Sequence, residues 1–276
     1  AVWRRSDLEV IAPVRELGLT REWEVAYATE HDIPVEAGNE GEWSIDANLW
    51  SRSIEGAELE DPGTVPPEAI YEWTAPVEHR PDEPELLELE FEDGYATAVD
   101  GTAMGPVELI DHLNEVGGRH GIGRNDLMED RMLGLKVRSN YEHPAATILL
   151  AAHEALEGLV LTRDERSFKP LIDARWAEKA YEGLLEAPLV DALEGFLAAT
   201  QSRVTGSVTM YLHQGHTRPV ARDSPYAVYS RSAASFDTET VHGIEQADAT
   251  GVAKYHGYQD RFASGLKGEP TPDIGV

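Results

Sequence analysis

ELLELEFEDGYATAV, residues 85 to 99, sets Leu87, Leu89 and Phe91 at alternate positions with Glu88 and Glu90 between them, then turns at Asp93-Gly94. Successive side chains leave a strand on opposite sides, so this alternation predicts a strand buried on one face. Asp-Gly supplies the positive φ angles that a tight hairpin turn needs. The stretch therefore predicts a half-exposed antiparallel hairpin. VTGSVTMYL, 204 to 212, repeats the pattern through Val208, Met210 and Leu212, turns near Gln214-Gly215 and returns through Val220.

Around these hairpins the apolar period lengthens to that of a helix. GPVELIDHLNEVGG, 105 to 118, has Pro106 in its first turn, an apolar stripe of Leu109, Leu113 and Val116, and a Gly117-Gly118 stop. Further helices are predicted from Pro144 to Leu159, Lys169 to Leu185 and Pro188 to Gln201. TREWEVAYATEHDIP, from Thr20 to Pro34, predicts a helix entered at Thr20, with Trp23 and Tyr27 one turn apart. LEVIAPV, 8 to 14, reads as a short buried strand ending at Pro13. Glu60 to Pro84 holds six of the sixteen prolines and reads as an irregular crossing loop whose ends are candidate subdomain edges. KYHGYQDRFASGL, 254 to 266, puts Tyr255, Tyr258 and Phe262 on a short terminal helix, followed by a loose Gly/Pro-rich tail from Lys267. Hairpins with clustered helices imply an α+β fold with a mixed or antiparallel sheet, not an alternating βαβ chain.

Composition narrows the function classes. The 276 residues carry 51 Asp plus Glu against 23 Lys plus Arg, a formal charge of -28, and only five of the cations are lysines. Such a surface repels nucleic-acid phosphates and anionic membranes, so neither is an expected partner. The charge either forms an acidic face for a basic partner or is spread over the surface as an adaptation to high salt. In the second case self-repulsion is screened, because the Debye length falls to about 3 Å at molar salt. The longest apolar-rich stretch, Ala145 to Ala152, is far below the roughly 20 residues that span a bilayer. The chain opens AVWRRSDLEV, without an initiator Met or a signal pattern, and contains no cysteine. A soluble, cytoplasmic protein without disulfides or thiolate metal sites is expected.

Two segments hold more polar chemistry than a core requires. In EWSIDANLWSRSIEG, 42 to 56, Ser44, Asp46, Asn48, Ser51, Arg52, Ser53 and Glu55 alternate with Trp43, Ile45, Leu49, Trp50 and Ile54. It reads either as a short helix capped by Asp46 or as a cradle for a zwitterionic small molecule. On a straight helix Ser44 and Ser53 lie about 13.5 Å apart, so both reach one ligand only if the segment bends. In GGRHGIGRNDLMEDRMLGLKVRSNYEHP, 117 to 144, five glycines surround Glu129, Asp130, Arg131, Lys136, Arg138 and Tyr141. Glu129 and Arg131 read either as a surface ion pair or, for Glu129 with Tyr141, as a grip on a ligand ammonium. His213 and His216 flank a predicted turn without a third ligand. His112 and His153 lie in predicted helices. No G-x-S-x-G, H-E-x-x-H or Walker A motif occurs, and Gly121-Ile122-Gly123 is framed by no predicted strand-turn-helix unit.

At these two segments the chain resembles argininosuccinate synthases. Trp43, Ser44, Asp46, Asn48, Leu49, Ser53 and Glu55 fit the family's W-S-x-D-x-N-L block and its following S-x-E. Gly121, Gly123, Arg124, Asp126, Glu129, Arg131, Gly134, Lys136 and Arg138 fit a second block, which continues through Tyr141, Glu142, Pro144, Ala145, Thr147, Ile148 and Leu149. IAPVRE, FKPLID, RVTGSV, DSPYAVYS and DATG extend the likeness in unbroken order from near residue 8 to about 262. Departures are Asp130, where the family commonly has Asn, and Val137-Arg138-Ser139, where it has Ser-Arg-Gly.

The resemblance implies an ATP-dependent condensation of citrulline with aspartate through a citrullyl-adenylate, giving argininosuccinate, AMP and pyrophosphate. It implies citrulline contacts at Ser44, Ser53, Glu129 and Tyr141, which should meet in one pocket; no proton-transferring catalytic residue is assigned. ATP with magnesium is expected as co-substrate of the full-length enzyme, with neither bound by this chain alone and no metal ligand in it. The family's S-G-G-x-D-T loop and G-N-D-x-x-R-F segment occur nowhere here. The expected organisation is a synthetase domain over 1–254 and a C-terminal oligomerisation helix and tail over 255–276, used in a homotetramer, with the N-terminal nucleotide-binding domain absent. The alternative is a non-enzymatic amino-acid-binding or assembly module derived from the same family.

Overall fold

The computed structural model describes residues 9–34, 43–234, 240–241 and 244–260. In chain order the elements are α1 (Pro13–Leu17), α2 (Arg21–Glu30), β1 (Ser44–Ala47), β2 (Arg52–Glu55), β3 (Glu85–Glu92), β4 (Tyr95–Val99) and β5 (Thr102–Ala103). They continue with α3 (Pro106–Arg119), β6 (Arg124–Asp130), β7 (Lys136–Glu142), α4 (Pro144–Val160), α5 (Arg163–Tyr181), α6 (Pro188–Gln201), β8 (Gly206–His213), β9 (His216–Asp223) and α7 (Ala249–Tyr255). The fold is α+β with antiparallel sheets, and a helix stands near the C-terminus. The chain divides into two compact units: residues up to Ile70 with Asn125–Glu142, and Tyr71–Arg124 with the residues from His143 onward.

The second unit holds the main core. Its sheet runs β5-β4-β3-β8-β9, with β3 antiparallel to both β4 and β8. Leu87, Leu89 and Phe91 from β3 and Val208, Met210 and Leu212 from β8 are buried against Leu109 and Leu113 of α3 and Ile148 and Leu156 of α4. Both alternating stretches thus form the expected hairpins, with Asp93 and Gly94 at φ 49° and 86° in the first turn. Pro219 lies in β9, the edge strand, where a missing N–H interrupts no interior ladder.

The first unit carries a smaller sheet in the order β1-β2-β7-β6. Its β6 and β7 follow α3 and precede α4 in the chain. Within the second unit the His143 N–H donates to the Gly123 carbonyl at 2.9 Å. Gly123 has φ +100°, and a Cβ there would meet Pro144 N at 2.6 Å, so only glycine fits.

Several expectations are corrected. Residues 9–12 form no strand, and Pro13 opens the short exposed helix α1 as its N1 residue instead of ending a buried strand; Leu8 lies outside the described residues. Helix α2 does start at Thr20, whose hydroxyl accepts from the Trp23 N–H. Gly117 and Gly118 do not stop α3, which runs on to Arg119. They are sites of close approach: a Cβ at Gly118 would lie 2.1 Å from the Trp73 carbonyl oxygen, and one at Gly117 2.8 Å from Ile148 Cδ1. Helix α5 begins six residues before Lys169, at a capping box between Thr162 and Glu165, and passes through Pro170. The terminal helix is not continuous from Lys254 through Tyr258: α7 ends at Tyr255, and Gly257 is left-handed with φ 67°. Phe262 and the tail from Lys267 lie outside the described residues.

Candidate functional site

The serine-bearing segment is a hairpin, not the capped helix. Asn48 Oδ1 accepts from the N–H groups of Trp50 (2.8 Å) and Ser51 (3.1 Å), so the side chain shapes the turn that a helix would have to run through. In the resulting register Asp46 pairs with Ser53 and Ser44 with Glu55. Directly paired residues point to one face, as do residues two apart on a strand. Ser44, Asp46, Ser53 and Glu55 therefore share a face. Ser44 and Ser53 are diagonal neighbours at about 7–8 Å, close enough for one small ligand.

The pairing of β2 with β7 extends this face. Ser53 stands opposite Tyr141, which brings Tyr141 and, two residues back, Ser139 to the same side. From β6, Glu129 joins them: Tyr141 donates its hydroxyl to Glu129 Oε1 at 2.6 Å, and Ser139 Oγ donates to Glu55 Oε1 at 2.7 Å and to Glu129 Oε2 at 3.4 Å. All four residues singled out in the sequence thus lie on one sheet face. That face is open: Ser44 is exposed, while Ser53, Glu129 and Tyr141 are half-buried.

Electrostatics distinguish the two carboxylates. Arg131 does not pair with Glu129 as a surface ion pair; its guanidinium lies 2.9 and 3.1 Å from the two carboxylate oxygens of Glu55. Glu129 instead accepts from two hydroxyls, and among the described residues it forms no ion pair with Lys or Arg. Burial, then the hydrogen bond to Glu129, push the Tyr141 phenol up to about 12, so it remains a proton donor across the ordinary pH range.

The opposite face of the sheet is structural. Arg52 pairs with Glu142 at 3.0 Å, both nearly inaccessible, and donates to the Ile70 carbonyl at 2.6 Å. Arg138 binds both oxygens of Asp126 at 2.9 and 2.6 Å and donates to the carbonyls of Asp61 (2.8 Å) and Thr64 (2.9 Å). Its hydrogen bond holds the Asp126 carboxyl below the usual range. The polar motif around Glu129 therefore mixes residues on the open face with residues that anchor the loop after β2. Lys136 makes an exposed pair with Asp130, and His213 Nε2 lies 3.0 Å from the Asp82 carbonyl.

The chain matches the family model described as the arginosuccinate synthase C-terminal domain over residues 43–263. The chain belongs to the argininosuccinate synthase family. It is 64% identical over 264 residues to the argininosuccinate synthase of Haloquadratum walsbyi, covering 96% of this chain and 66% of that protein. The argininosuccinate synthase of Natronomonas pharaonis is 65% identical over 268 residues, with the same two coverages. That of Methanococcoides burtonii is 56% identical over 262 residues, covering 95% of this chain and 66% of the relative. The chain thus spans just under two thirds of the length of these argininosuccinate synthases.

Ser44, Ser53, Glu129 and Tyr141 all fall inside the matched domain. Glu55 and Ser139, which tie the site together, were visible in the sequence only as members of longer polar runs. The signal that finds Glu55 is its two-residue spacing from Ser53 on a strand. A cleft of about 750 Å³ lies in the second unit, lined by Tyr95, His153, Lys169, Trp176 and Glu194 among others. Lys169 there is engaged by Glu157 at 3.1 Å and Asp173 at 2.7 Å. No helix among the described residues is long and apolar enough to cross a membrane.

Proposed function

We propose that this chain forms the citrulline-gripping part of an argininosuccinate synthase, an ATP-dependent carbon–nitrogen ligase. The observation that carries the reading is Glu129: a carboxylate held by two hydroxyls, on a face shared with Ser44 and Ser53. Citrulline is a zwitterion with an uncharged ureido end. Its α-ammonium matches Glu129, and the hydroxyls of Ser44, Ser53 and Tyr141 serve its remaining polar groups.

In the proposed reaction the ureido oxygen attacks the α-phosphorus of ATP, and pyrophosphate departs with the bonding pair. The aspartate amine then attacks the ureido carbon and AMP leaves. Residues on the sheet face contribute positioning, which is a large part of the barrier in a reaction between bound partners. Tyr141, protonated throughout, serves as a fixed donor and not as a base. Magnesium would accompany ATP and neutralise phosphate charge. Among the described residues no group of three or more His, Asp or Glu converges as a metal site, and the proposal gives this chain no metal ligand. The 276 residues contain no S-G-G-x-D-T run, and the chain alone is proposed to be inactive. ATP-dependent AMP release by the purified chain would contradict that point.

The acid excess is proposed to serve work in concentrated salt in a cytoplasmic setting. A homotetramer using the residues from 255 onward completes the proposal; removal of 254–276 should then lower the mass in solution. For the central reading, the test is citrulline binding by a full-length Glu129→Gln protein. A loss of about tenfold or more, equivalent to about 1.4 kcal/mol, is expected, and unchanged affinity overturns the ammonium role.

A further inference from the structure

We infer that Glu55 is a positioning residue that holds the Arg131 guanidinium away from Glu129 and so preserves Glu129 as an ammonium acceptor. The inference rests on the citrulline-clamp reading above. Glu129 and Arg131 are two residues apart, the first in β6 and the second just beyond its end, where period-two geometry directs both side chains to one side. An arginine so placed is a natural partner for the acid beside it. Instead both Glu55 carboxylate oxygens engage Arg131, at 2.9 and 3.1 Å. The competing carboxylates are close: Ser139 Oγ reaches Glu55 at 2.7 Å and Glu129 at 3.4 Å. Glu55, Glu129 and the Arg131 guanidinium thus compete on this part of the face, and the pairing pattern decides which of these two acids keeps its net charge.

The consequence is selective. A guanidinium on Glu129 would neutralise the charge that attracts a substrate ammonium and occupy the oxygens meant for it. Neutral Glu129, or Glu129 paired with Arg131, would still offer hydrogen bonds but would no longer favour a cationic group over a neutral one. Glu55 touches no substrate in this account. It acts through Arg131, and through Ser139, whose hydroxyl bridges the two acids.

A double-mutant cycle on the full-length enzyme tests this. Glu55→Gln should raise the KM for citrulline at least tenfold with kcat changed less than threefold, since Arg131 then turns to Glu129. Arg131→Gln should leave the KM within about threefold. Glu55→Gln added to Arg131→Gln should again leave it within about threefold, because no guanidinium remains to be held. A purely structural role for Glu55 would instead raise the KM in both backgrounds, and that result overturns the inference. An unaltered KM in Glu55→Gln alone overturns it as well. If Glu55→Gln fails to fold, the comparison of the double variant with Arg131→Gln still decides. Glu129→Gln, run alongside, separates the two levels: a large effect there with none at Glu55 leaves the clamp standing and removes only the positioning role.

Discussion

Tyr141 reaches across from β7 to donate its hydroxyl to Glu129 Oε1 on β6 at 2.6 Å, while Ser53 stands opposite Tyr141 on β2. One cross-strand row thus joins residues 76 and 88 positions distant from Ser53 to it, Glu129 being 129 - 53 = 76 and Tyr141 being 141 - 53 = 88. Tyr141→Phe removes one of the two hydroxyls that fix the Glu129 carboxylate. Citrulline affinity should fall about tenfold, about 1.4 kcal/mol, with little change in the thermal midpoint because the group is half exposed. The same phenol has a signature in base. Its folded value, about 12, exceeds the ordinary 10.0, so its stabilising contribution is complete below pH 10 and is lost as pH rises towards 12. Denaturant titrations across that window should show a steeper decline for the wild type than for Tyr141→Phe.

Gly118→Ala should destabilise by about 1–3 kcal/mol, the range for forcing an added group into a packed site. The added Cβ would lie 2.1 Å from the Trp73 carbonyl oxygen, a backbone atom that cannot swing aside. Gly105→Ala, where a Cβ meets nothing within 4 Å, serves as the control in urea titrations.

Arg52→Ala should cost about 3–5 kcal/mol, since it removes the buried cation paired with the Glu142 carboxylate. Glu142 is fully inaccessible and lies 3.0 Å from Arg52 Nη1. Chemical denaturation reads the loss, and a change below about 1 kcal/mol would show that the pair is not the anchor described.

Net charge of -28 makes a salt prediction. The melting midpoint should rise between low and multimolar KCl as self-repulsion is screened over about 3 Å. A flat or falling curve would remove the salt-adaptation reading and favour an acidic face kept for a basic partner.

Where the sequence was most legible, period and turn chemistry agreed. The β3–β4 and β8–β9 hairpins combine strict alternation with Asp-Gly or Gln-Gly turns, and both form as read. Helix α2 announces itself through its Thr20 cap. The failures share a physical cause, which is that a local signal carries two meanings. Gly117 and Gly118 suit a helix end, but tertiary crowding by Trp73 and Ile148 explains them inside one. Thr162 and Glu165 form a capping box, so α5 begins six residues before the start that the sequence pattern predicts at Lys169. At the candidate site, the resemblance singles out Ser44, Ser53, Glu129 and Tyr141, and only the hairpin register explains how Ser44 and Ser53 come to one face. The division between Glu129 and Glu55 was not legible at all, because it depends on which carboxylate Arg131 reaches across the sheet.

The measurement that tests the central claim most directly is a crystal structure of the full-length protein with citrulline bound. The α-ammonium should lie within hydrogen-bond distance of Glu129, with Ser44, Ser53 and Tyr141 around the same molecule and Arg131 still on Glu55. Citrulline seated away from this sheet face, for instance in the cleft beside Lys169 and Trp176, would contradict the account.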